Sequence, residues 1–162
     1  MKKLLFCIMA VCGMLFCSCS KDTAKDFEGT YVVNSDVTYS NLGMKAGFSS
    51  QESGTITITA TGRNNVTVSG MFNTTGHVEN GILHLDAEEH VGTEMGAGIS
   101  FLGYDLAGVS FTTNLHHGDV VLNDNGTMTW NASGDGLATV MVLGLAVNVH
   151  ANVAYSNTAI RE

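Results

Sequence analysis

From residue 27 onward the chain alternates between apolar and polar positions. In Thr55-Ile56-Thr57-Ile58-Thr59 the isoleucines fall on one face of an extended backbone and the threonines on the other. A period of two marks a half-buried strand, and β-branched side chains suit its pleat. Gly62-Arg63-Asn64-Asn65 turns the chain into Val66-Thr67-Val68-Ser69, which keeps the same period. Asn80-Gly81 predicts a tight hairpin turn with positive φ at both central residues, joining residues 71–78 to 82–87. Asp124-Asn125-Gly126 predicts another between residues 120–122 and 128–130, and Val109, Phe111 and Leu115 share a face opposite Ser110, Thr112, Asn114 and His116. Helical periodicity is conceivable only at residues 86–95. There is no proline, so no strand is barred from a sheet interior on that ground, and the 19 glycines suit turns and sharp bends. The pattern predicts an all-β domain, a single antiparallel up-and-down β-barrel of eight to ten strands, with a two-sheet sandwich as the second choice.

Residues before 27 follow another logic. Met1-Lys2-Lys3 is a cationic start, and the run from Leu4 to Phe16 is apolar apart from Gly13. That run is shorter than the roughly 20 residues a membrane-spanning helix needs. It has the layout of a secretion signal. All four cysteines (Cys7, Cys12, Cys17 and Cys19) lie in this stretch, so the domain has no disulfide and no thiol chemistry. Leu15-Phe16-Cys17-Ser18-Cys19-Ser20 resembles the bacterial lipobox, in which small residues precede a cysteine that is acylated and becomes the new N-terminus. The resemblance implies a signal peptide at 1–18, lipidation at Cys19, a tether at 19–26 and a folded domain at 27–162. Cleavage removes Lys2 and Lys3, so the formal charge of −8 becomes −10. Such a surface repels nucleic acid and anionic headgroups. The expectation is no nucleic-acid partner and a membrane contact made by acyl chains.

Leu42-Gly43-Met44, Leu102-Gly103-Tyr104 and Leu143-Gly144-Leu145 each sit inside a strand-rich segment. Each is either a hairpin tip or a mid-strand bend with core neighbours. Tips of this kind would be apolar where Asn, Asp and Ser are usual. Grouped at one end of a barrel, they would form an apolar mouth. Leu42, Met44, Leu102, Tyr104, Leu143 and Leu145, with Phe111 and Trp130 as lining residues, are therefore the expected ligand-binding set.

Catalytic signatures are sparse. No Gly-x-Ser-x-Gly elbow or phosphate loop occurs, and an enzyme or a cofactor is not expected. His84-Leu85-Asp86-Ala87-Glu88-Glu89-His90 is the densest group of ligand-type side chains. It reads as a solvated outer face, with His84, Asp86 and His90 as the weak metal candidates.

Phe27-Glu28-Gly29-Thr30-Tyr31 resembles the opening of lipocalin-like (calycin-like) domains, and the runs at residues 54–59, 64–69 and 81–85 are similar to those of small bacterial lipoproteins with such barrels. Tyr31 stands where lipocalins proper carry tryptophan. The resemblance implies an outer-membrane lipoprotein with a barrel over residues 27–157. The expected role is non-catalytic binding of a small apolar ligand in or at the mouth of the barrel. The alternative is a surface module that docks a partner protein or glycan through apolar tips.

Overall fold

Alternation becomes strand almost throughout. The computed structural model describes residues 23–40, 48–92, 100–101, 104–105 and 108–162. One helical turn, α1 (Ala24–Phe27), leads into β1 (Gly29–Ser40), β2 (Phe48–Ala60), β3 (Asn65–Gly70), β4 (Thr74–Glu79), β5 (Ile82–Leu85) and β6 (Glu88–Val91). The short β7 (Ser100–Phe101) and β8 (Tyr104–Asp105) pair with each other. Then come β9 (Thr112–His117), β10 (Val121–Leu122), β11 (Thr127–Val142) and β12 (Leu145–Arg161). Residues 86–95 are not helical where described: Glu88–Val91 is β6, paired with β9, because Glu88 and His90 turn inward with a strand's period.

The main sheet has ten strands, all antiparallel, in the order β5-β4-β3-β2-β1-β12-β11-β9-β6, with β10 also on β11. It curls as a half-barrel around one core. On β1, Tyr31, Val33, Val37 and Tyr39 point inward, and they meet Val149, Val153 and Tyr155 from β12 and Ile56 and Ile58 from β2. The path is open, ending at β5 and β6, and one bridge links β5 to the chain between β9 and β10. Leu83 on β5 and Val120 beside β10 exchange backbone hydrogen bonds of 3.2 and 2.9 Å. Leu83 opposite Val120, Glu88 opposite Leu115 and Val91 opposite Thr112 follow one antiparallel register.

Along that register both chains change phase. Leu83 is buried and Leu85 half-buried, but after Asp86-Ala87 the inward residues are Glu88 and His90. On the opposing chain Phe111, Thr113, Leu115 and His117 point in, and after Gly118-Asp119 the inward residue is Val120. A one-residue slip of this kind swaps the faces of everything downstream.

Turns follow the local chemistry. Asn80 and Gly81 have φ of 52° and 81°, the tight hairpin turn expected there. In the β10–β11 loop the Gly126 N–H donates to Asn123 O at 2.9 Å and the Asn123 N–H to Thr127 O at 2.8 Å. Gly70, φ 118°, lets the chain dive inward after β3, and a Cβ there would run into Thr55 O. The dive plants Phe72 in the core.

Helix α1 covers the end where β1 begins and β12 finishes. Ala24 and Phe27 are buried, so packing starts within the stretch expected as tether. The Tyr31 hydroxyl donates to Phe27 O at 2.8 Å, and the Ala24 N–H to Arg63 O at 3.2 Å. Burial pushes the Tyr31 hydroxyl's pKa up, opposed by the Arg161 guanidinium over its ring.

Candidate functional site

Two carboxylates enter the interior, each facing a histidine. The change of phase brings in Glu88, whose side chain is 4% exposed; one oxygen accepts the Asn73 N–H at 2.6 Å and the other lies 3.2 Å from His117 Nε2. Trp130 Nε1 lies 3.3 Å from His117 Nδ1. An indole N–H can only donate, so Nδ1 accepts and the imidazole proton sits on Nε2, aimed at Glu88. Every polar atom of this chain is spent on a protein partner. It ties β6, β9, β11 and the β3–β4 turn together.

Glu52 on β2, 8% exposed, lies 3.5 Å from His90 Nε2 and accepts from the Tyr155 hydroxyl at 3.3 Å. Burial and the Glu52 charge push the Tyr39 hydroxyl up to about 12, and the same causes raise Tyr155. Phe72 sits between the two carboxylate–histidine pairs, 5.2 Å from the His90 ring, 5.5 Å from His117 and 6.0 Å from Trp130. The result is an aromatic box with a polar lining, closed over by its own side chains.

The other distinctive feature is outside. β11 and β12, 16 and 17 residues long, meet in a two-residue turn, Leu143-Gly144, with φ of 51° and 79°. Leucine in the left-handed region is strained, by about 1–2 kcal/mol. It is also 86% exposed, with Leu145 at 71% and Met141 at 64%. A narrow apolar ridge therefore projects at the far end from α1. Between the Thr127–Ile160 pair and the Val142–Leu145 pair the strands run about 50 Å, at roughly 3.3 Å per residue.

Of the expected ligand-binding set, Leu143 and Leu145 are on this exposed tip, whereas Phe111 and Trp130 are buried in the core. Tyr104 opens β8. Leu42, Met44, Leu102 and Cys19 lie outside the described residues. The weak metal candidates are not brought together. His84 faces outward toward Asp119, Asp86 accepts the Thr75 hydroxyl, and His90 is in the aromatic box. Among the described residues no group of three or more His, Cys, Asp or Glu side chains could hold a metal ion. Sequence reasoning missed Glu52, Phe72 and the inward turn of Glu88, since no local pattern announces a change of phase. A shallow groove of about 550 Å³ crosses the outer face over β1, β12, β11 and β9, lined by small polar side chains such as Thr38, Asn131, Ser133 and Ser156.

Comparison with protein-family models, curated proteins and solved structures finds no match to this chain.

Proposed function

We propose that this chain is a membrane-tethered bacterial lipoprotein of the outer membrane whose β domain is a non-catalytic docking module. On this reading residues 1–18 are removed, Cys19 is acylated, and the curled sheet closes through Leu83 and Val120 into a calycin-like up-and-down barrel. The barrel presents the β11–β12 tip to an apolar cleft on a partner protein. The observation that carries the docking role is Leu143, a strained and almost fully exposed leucine where asparagine or glycine would sit without cost. Phe111 and Trp130 are engaged in core packing, which favours a partner at the tip over a small ligand in the interior. The occupant is a protein rather than the anchoring bilayer, because the tip is at the far end from α1. Residues 137–150 also carry no lysine or arginine to meet lipid headgroups.

The test uses the full chain in its native host, with a photo-crosslinking residue at position 145 or, as control, at outward-facing position 129. A discrete protein adduct from 145 alone, lost with Leu143→Asn, is the expected result. No adduct at 145, or one that survives Leu143→Asn, overturns docking. In the same cells Cys19→Ser should move the protein out of the membrane fraction, and its retention there would overturn the lipid anchor.

A further inference from the structure

We propose that His77 and His84 form a two-imidazole clamp for a late first-row divalent metal ion on the outer face of the sheet. The two residues are directly opposite one another on β4 and β5. Their rings lie 5.2 Å apart between centroids, at an interplanar angle of 28°. An ion 2.0–2.1 Å from one nitrogen of each ring sits about 3.2 Å from each ring centre, and a tetrahedral angle then separates the centres by about 5.2 Å. The rings are stacked in the structure, so this spacing accepts the ion once both rings turn edge-on toward it.

The second support is Asp119, whose Oδ1 lies 3.0 Å from His84 Nδ1. A carboxylate accepting the Nδ1 proton fixes the tautomer that leaves the Nε2 lone pair for a metal, the usual outer-sphere arrangement of ligating histidines. His77 makes no side-chain hydrogen bond to a described residue, so its ring is free to turn toward the same point. The site also has a structural cause. His84 and Asp119 are the immediate neighbours of Leu83 and Val120, the residues that bridge β5 to the chain between β9 and β10. No third side chain of ligating type joins the pair among the described residues, so water completes the coordination. Two imidazoles suit zinc at the tetrahedral angle, and nickel(II) and copper(II) at a right angle that draws the ring centres to about 4.5 Å, with copper bound most tightly. The chain's net charge of −8 favours cation approach.

The probe is copper(II) alone, titrated into the full chain purified in detergent and followed by electron paramagnetic resonance. One ion per chain with coupling to two imidazole nitrogens is expected. His77→Asn and His84→Asn should each abolish that signal, Asp119→Asn should weaken binding about tenfold, and His116→Asn should leave it intact. Ring-proton spectra of the unaltered protein give a readout independent of variant folding. Of the six histidines, His77 and His84 should broaden first with substoichiometric copper. Broadening that begins at other histidines, or copper coupling unchanged in both His→Asn variants, overturns the site.

Discussion

The Glu88 carboxylate shows how much one buried side chain can hold. It accepts from the Asn73 N–H and faces His117 Nε2, and the His117 side chain is fully buried, with no water to fall back on. Glu88→Leu strands the buried His117 N–H, and at roughly 1–3 kcal/mol for an unsatisfied buried group it should lower stability by about 2 kcal/mol. Glu88→Gln keeps one acceptor and should cost less; urea-denaturation midpoints of the two variants would check the order. The tyrosines beside Glu52 give a pH signature. Tyr39 and Tyr155 are held neutral in the fold, with pKa values above those of the unfolded chain. Their contribution is therefore fully present below about pH 10, the unfolded tyrosine value. It is lost as pH rises through about 12, the folded value of Tyr39. Phenolate absorbance of the native protein should lag behind that of free tyrosine, and stability should fall between those two pH values. An absorbance titration matching free tyrosine would contradict the burial.

At the scale of elements, the long hairpin puts local backbone energy and exposure at odds. Asparagine tolerates the left-handed region, so Leu143→Asn should raise thermal stability, by about 1 kcal/mol from relief of backbone strain, while removing the leucine proposed to dock. A melting temperature lowered by this substitution would mean that Leu143 packs on its own domain. The Asn80-Gly81 turn and the Thr55–Thr59 alternation were legible in the sequence, because a turn residue and a period of two are local signals, whereas Leu143-Gly144 read equally as a tip or a mid-strand bend. The clusters were not legible. His84, Asp86 and Glu88 would share one face of a regular strand, yet the slip at Asp86-Ala87 sends Glu88 inward to His117, and His84 pairs with His77 and Asp119 instead. Such partners are set by register between strands distant in sequence. Phe72 was equally hidden, since its inward path depends on the backbone of Gly70 against β2.

For the molecule as a whole, the decisive contact is small. Among the described residues, Leu83 and Val120 carry the only backbone hydrogen bonds between β5 and the β9–β10 chain. If the barrel closes there, their amide protons should exchange as slowly as those at the centre of β12. Rapid exchange at both, with β1 and β12 protected, would show a sheet that opens along this seam.

Under the proposed lipid anchor at Cys19, the separation of α1 from the β11–β12 turn has a further consequence. Strand length then sets an altitude. Deleting two residues from β11 and the two facing them on β12 would lower the ridge by roughly 7 Å along the strand without altering its chemistry. A partner would thus be selected by its height above the bilayer as well as by its shape.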